Sequence, residues 1–345
     1  MRHKPFVCAA LALGFALGAA ACGSGESTVG TVKSKVKIGW IGQMSDAGLI
    51  MARASGYFKG QGLDVQFVQF KSGADMVAPL ATGELDFGAG AYSAGFANAV
   101  NRGRPMVMIA DKNSSQPKHS TEIIEVRKDL AGKIKNVAGF AGHRIGFASS
   151  EGTSAWVYQS QLLERNGLAL KDLKITYYSP SDLYLALKQG AVDVGLMSEP
   201  TATQAEKDGV AVPLMTGDDY APLAQIAVLF TSSKLASSSK PTVQKFVNAY
   251  ACGVRQYTAA MDGGTGKEGV TKTIADATGI PADIVAAARP AGFSKDLTVN
   301  ARSIAFISDQ LAAKGLIKKA PEVSKLIDNG FVQKATGEKL ACPTA

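Results

Sequence analysis

VKIGWIGQMSDAGLIMARASGYFKGQGLDVQFVQFKSGADMVAPLATGELDFG, residues 36–88, alternates short β-rich runs with helical stretches. That alternation is the pattern of a parallel sheet covered by helices. Residues 36–41 read as a strand, 48–59 as a helix running into the turn at Gly60 and Gly62, and 64–70 as a second strand. A helix over 74–82 and a strand over 85–88 follow, then a helix over 93–102 and a strand over 106–110. Near Thr121 the run TEIIEVR opens a second series: strand 144–148, helix 154–165, strand 174–178, helix 181–189, strand 192–197 and helix 200–207. QIAVLFT (225–231) reads as a return strand, and beyond it helices are expected over 241–261, 267–277, 281–288, 299–314 and 321–328. A lobe that starts, is interrupted and resumes needs two crossings, which form a hinge. The expected fold is α/β with two lobes: 36–120 in lobe 1, 121–224 in lobe 2, and 225–345 returning to lobe 1. No internal repeat suggests a solenoid.

Upstream, MRHKPFVCAALALGFALGAAACGSGES carries Arg2, His3 and Lys4 before an apolar run from Phe6 to Leu17, too short to span a bilayer, with small residues up to Cys22. This is an export signal over 1–21, followed by a Gly/Ser/Thr-rich tether over 22–35. It resembles bacterial lipoprotein signals, with Ala19 where that motif usually has Leu. Cys22 is then the lipidated residue and holds the chain to a membrane. Cleavage after Ala21 by an ordinary signal peptidase, releasing the protein, stays open; both routes place it outside the cytoplasm.

The 345 residues suit two lobes better than one core. The net charge of +8 loses two when Arg2 and Lys4 leave, and the remaining lysines are scattered without interleaved aromatics. That excludes a nucleic-acid stripe and fits attraction to an anionic cell surface. Once Cys8 is removed and Cys22 lipidated, Cys252 and Cys342 remain. In an oxidising compartment such a pair is expected as a disulfide, closing a loop of about 90 residues worth on the order of 4.5 kcal/mol in chain entropy.

Five stretches carry a recognisable text: VKIG (36–39), ASGYFKGQGLDV (54–65), SGADMVAPLATGELDFG (72–88), GHRIGFASS (142–150) and ALKQGAVDVGLMSEP (186–200). They resemble the substrate-binding proteins of the nitrate/sulfonate/taurine class of ABC importers, a superfamily that includes thiamine-precursor binders and THI5/NMT1-like proteins. The resemblance implies a type II periplasmic-binding-protein fold with a ligand cleft between the lobes. It also implies a monomer that delivers a small polar solute or anion, sulfonate-like, taurine-like or thiamine-pyrimidine-like, to a permease and its ATPase.

The residues read the same way. Strands ending in small or polar residues before helix starts aim several helix N-termini at one crevice, where free N–H groups and the helix dipole favour electron-rich groups. Ser72 and Gly73, Tyr92 and Ser93, Thr153 and Ser154, and Glu199 stand at four such starts. Each Ser or Thr also suits a plain helix cap, worth around 1 kcal/mol. Gln43, Met44, Ser45 and Asp46 follow the first strand, and Asn113 and Glu151 complete the expected ligand-binding set. Asp46 and Glu199 either receive an amine or ring N–H or simply answer the helix dipole. Lys71 reads as a solvated strand end. Trp40 and Trp156 either stack on a ligand ring or pack in the core.

The competing class is an enzyme, nearest to the THI5-like pyrimidine synthases, which use a histidine, a cofactor-binding lysine and a cysteine-rich iron motif. The exported chain keeps His119 and His143 alone, its two cysteines stand far apart, and G-x-S-x-G, Walker and H-E-x-x-H motifs are absent. A binding protein with no catalytic residue, metal or cofactor is the expectation.

Overall fold

In the computed structural model residues 34–336 and 340–343 are described; the signal, Cys22 and most of the tether lie outside them. Val36 and Ile38 are buried on one face of β1 (Lys35–Trp40) while Lys35 and Lys37 are exposed, the period of two that a pleated strand imposes. β1 pairs in parallel with β2 (Asp64–Gln69) and β3 (Phe87–Gly90). The sheet is completed by β4 (Met106–Ser114) and the antiparallel β10 (Gln225–Ser232), in the order β2-β1-β3-β10-β4. The second sheet repeats this plan as β7-β6-β8-β5-β9, built from β5 (Glu122–Arg127), β6 (Arg144–Phe147), β7 (Lys174–Tyr177), β8 (Val194–Ser198) and β9 (Ala211–Thr216). The chain passes between the sheets twice, over 115–121 and 217–224.

Several elements differ from the sequence reading. The helix over 48–59 is two, Ala47–Ala54 and Tyr57–Gly60, separated where Gly56 takes a left-handed φ of 74°. β9 was not anticipated because Pro213 argues against a strand; at a sheet edge its missing N–H costs no ladder bond. Residues 321–328 form only a short 3₁₀ turn, Val323–Lys325. The segment instead lies along β4, where Met108 donates to the Leu326 carbonyl at 2.7 Å and accepts from Asp328 N at 2.9 Å. It thereby covers a sheet edge that would otherwise be bare. The following helix, Gly330–Ala335, has no cap signal in sequence and is held by the burial of Phe331 and Val332.

The segment after β10 reaches both sheets. Helix Lys240–Met261 packs on Ala47–Ala54, and Gly48 and Gly253 let the two backbones touch: a Cβ at Gly253 would sit 2.1 Å from the Gly48 carbonyl oxygen. Helix Ala301–Ala313, by contrast, packs on both Ala94–Asn101 and Ser154–Arg165. Its Ile304, Ile307 and Leu311 join Phe96 and Phe230 of the first sheet side to Trp156 and Leu196 of the second in one apolar cluster.

Two ties outside this cluster generate predictions. Cys252 is bonded to Cys342, stapling the tail to the long helix. Cys342→Ser should lower the unfolding free energy by about 2–4 kcal/mol, read as a denaturant midpoint below wild type under non-reducing conditions. Equal midpoints would show that the staple adds nothing.

In the second sheet, Asp193 accepts from Arg144 Nη2 (2.6 Å), Arg144 N (2.9 Å) and Arg127 Nη1 (2.9 Å). The Arg144 hydrogen bonds, ahead of the general attraction of both guanidinium groups, hold its carboxyl down to about 2. A depressed carboxyl stabilises above its unfolded value, 3.8, and loses that contribution as pH falls through about 2. Asp193→Asn should therefore melt below wild type at neutral pH, by about 1 kcal/mol after solvent screening. The gap should close in acid; a gap constant with pH would refute this.

Candidate ligand cleft

At the carboxyl ends of β1, β2 and β3 in one sheet and β6, β7 and β8 in the other, loops from both lobes line a half-open cavity of about 150 Å³. Crevices at strand ends are where open α/β sheets place ligands. The size suits a solute of a few heavy atoms, since a cavity of about 150 Å³ accepts benzene.

The first lobe contributes Gln43 and Ser45 after β1, then Lys71, Ser72 and Gly73 after β2. Gly73 lies directly against the end of β3: a Cβ at Gly90 would stand 2.6 Å from the Gly73 Cα, so the wall tolerates only glycine there. Ser72 Oγ is turned to Asp75 at 2.9 Å, and Lys71 is exposed at the cavity rim. From β4 come Lys112 and Asn113, both buried. Lys112 Nζ stands 2.8 Å from Asp46 Oδ1 and donates to Ser45 Oγ at 2.9 Å. Asp46 also accepts from Gly42 N and Gln43 N. This aspartate shapes the β1 loop and neutralises Lys112, and it does not line the cavity.

The second lobe contributes Thr121 and Glu122, Ser149 and Ser150 after β6, Thr153 at the start of helix Ser154–Arg165, and Glu199 after β8. Thr153 makes no side-chain cap, and its hydroxyl bonds back to the Ser150 carbonyl at 2.8 Å. The first N–H of this twelve-residue helix, that of Ser154, is instead spent on the Tyr92 carbonyl, while Thr153 and Ala155 line the cavity. Glu199 is turned inward, accepting from Thr203 Oγ1 (3.0 Å), Arg289 N (3.2 Å) and Arg289 Nη1 (3.0 Å). Glu122 is different: burial, with Glu199 adding repulsion and Thr121 opposing, pushes its carboxyl up to about 7.

Of the residues expected at the site, Gln43, Ser45, Ser72, Gly73, Asn113, Thr153 and Glu199 are brought to this cavity. The others stand elsewhere. Met44 is buried with Trp40 in a separate core cluster. Tyr92 is buried with its hydroxyl 2.9 Å from Ser308, and Ser93 caps its own helix by accepting from Phe96 N. Ser154 Oγ donates to the Ile226 carbonyl, across the lobes. Trp156 is a core residue whose Nε1 donates to Tyr177 at 3.0 Å, and Trp40 packs edge-on against Phe67, so neither indole offers a face to the cavity. Glu151 is exposed and outside the lining. Lys112, Thr121, Glu122 and Ser149 were missed. The one signal for Lys112 and Glu122 was a charge at the end or start of an otherwise apolar strand, in MVMIADKNS and TEIIEVR.

The lobes meet beside the cavity through main-chain bonds. Ser93 and Thr153 form an antiparallel bridge, with Ala94 N donating to the Gly152 carbonyl at 2.8 Å and Ser154 N to the Tyr92 carbonyl at 3.0 Å.

Known proteins share this architecture. A putative aliphatic sulfonates-binding protein of Escherichia coli K12 is 30% identical over 156 residues, 45% of this chain and 46% of the relative, so the match spans about half the length of that curated protein. The alkanesulfonate-binding protein SsuA from Xanthomonas axonopodis pv. citri, solved bound to MOPS, superposes with a TM-score of 0.68 at 22% identity, covering 86% of this chain and 99% of that one. The periplasmic nitrate-binding protein NrtA from Synechocystis PCC 6803 gives 0.71 at 15% identity over 89% of each chain. The fold is thus the two-lobed one of periplasmic binding proteins. A family model described as NMT1/THI5 like matches residues 43–261, well over half of the sequence, and the chain belongs to that family.

Proposed function

We propose that this protein is the extracytoplasmic solute-binding component of an ABC importer, capturing a small polar organic solute or anion between its lobes and handing it to a membrane permease. The observation that carries the reading is the cleft at the strand ends, lined by polar side chains from both lobes with Lys71 at its rim. Sulfonate and nitrate binding by the named relatives supports an anionic group in the solute. Their names are those of binding proteins, which supports capture without chemistry.

The proposed mechanism needs the lobes to part and close. Main-chain bonds at the Ser93–Thr153 seam contribute about 1 kcal/mol each, small enough for the seam to open. A solute touching both walls adds the difference that favours closure, and the permease then reads the closed form. Anchoring through Cys22 keeps the protein near that partner as a monomer; no helix among the described residues is long and apolar enough to cross a membrane.

A thermal-shift panel of alkanesulfonates, aminosulfonates and nitrate tests the reading. A true ligand at one hundred times its dissociation constant should add about 2.7 kcal/mol of stability. Lys71→Ala should weaken an anionic ligand several-fold while leaving the unliganded melting temperature unchanged. A flat response to every small solute would exclude a solute-binding role. For the anchor, Cys22→Ala should move the protein from the membrane fraction to the soluble one; unchanged partitioning would rule out lipidation at that residue.

A further inference from the structure

Two buried side chains in the cavity lining carry poorly matched acceptors. Glu122, at the start of β5, is 7% exposed and lines the cavity. Its nearest polar neighbours are Thr121 Oγ1 and Gln159 Nε2, each at 3.5 Å, the outer limit for a hydrogen bond, and it makes no ion pair with any described residue. Asn113, at the end of β4, is 1% exposed. Its Nδ2 donates to Thr121 Oγ1 at 2.7 Å, and its Oδ1 is buried with no partner. With the amide nitrogen spent on Thr121, the Asn113 oxygen is the unmatched atom. Leaving a buried acceptor unmatched costs about 1–3 kcal/mol, more for a charged group, so a carboxylate with only long contacts beside an unmatched amide oxygen gains from a donor brought by a solute.

The other carboxylates nearby cannot supply an alternative account. Asp46 is spent on Lys112, and Glu199 on Arg289 and Thr203. The groups facing Glu122 are Glu199, Thr121, Gln159 and Tyr220, among which there is no cation.

We infer that Glu122 and Asn113 form the subsite that receives a protonated amino group, so the captured solute is a small amine-bearing molecule and not a simple anion. This rests on the reading of the chain as a solute-binding protein. An ammonium group offers three donors, enough to serve a carboxylate from one sheet and an amide oxygen from the other. Filling the subsite therefore ties β4 to β5 across the first crossing. Lys71, exposed at the cavity rim, stays available for an anionic group at the opposite end of the same solute.

Matched pairs that differ only in the amine test this by titration calorimetry: ethanesulfonate against 2-aminoethanesulfonate, and propionate against β-alanine. The amine-bearing member should bind at least roughly thirty-fold more tightly in one pair or both. Glu122→Gln, which keeps shape and removes the charge, should abolish most of that preference while the amine-free compound binds as before. The unliganded Glu122→Gln protein should melt at or above wild type at pH 8, because an unpaired buried carboxylate has been neutralised; this separates a lost subsite from a lost fold. Equal affinity within both pairs, or an amine preference that survives Glu122→Gln, overturns the inference and leaves solute binding standing. Failure of all four compounds in the millimolar range also overturns the inference, while solute binding is decided by the wider thermal-shift panel.

Discussion

Everything at the cleft depends on two sheets being held face to face by a short main-chain seam. The bridge between Ser93 and Thr153, with its flanking bonds from Ala94 and Ser154, is the narrowest join between the lobes. Main-chain bonds position the helix start at Thr153 more tightly than side chains could, because they fix the backbone and not a rotamer. Behind the seam, helix Ala301–Ala313 lays one apolar face across both lobes and gives the join its hydrophobic share.

Charge is distributed in the cleft by the same logic. A lysine as buried as Lys112 survives as a cation only with a partner, and Asp46 is placed by the β1 loop to provide one. Glu199 is treated likewise by Arg289, which comes from the segment after β10 and so adds a polar tie between the return segment and the second sheet. Glu122, which lines the cavity, makes no ion pair with a described residue.

The sequence showed the strands of both sheets and most helices because their signals are local: β-branched runs bounded by Gly and Asn, and helical runs closed by glycines. It was blind to β9, whose Pro213 is tolerated only by virtue of an edge position, and to the extended path of 321–328, which follows the bare edge of β4. Both are decided by what lies beside the segment. The disulfide pairing of Cys252 and Cys342 was legible from compartment and number, and the structure joins the two.

The candidate site was only half legible, for a related reason. A serine at a helix start looks the same whether it faces a cavity, as Ser72 does, or caps its own helix, as Ser93 does. Asp46 and Glu199 look like free carboxylates until Lys112 and Arg289 arrive from residues far away in the chain. By itself, then, the sequence determined the α/β order, the two crossings and the family text, all properties of neighbouring residues. Which polar groups are spent on one another and which are left facing the cavity was decided only by the tertiary structure, because pairing is a matter of distance in space between residues that share no local pattern.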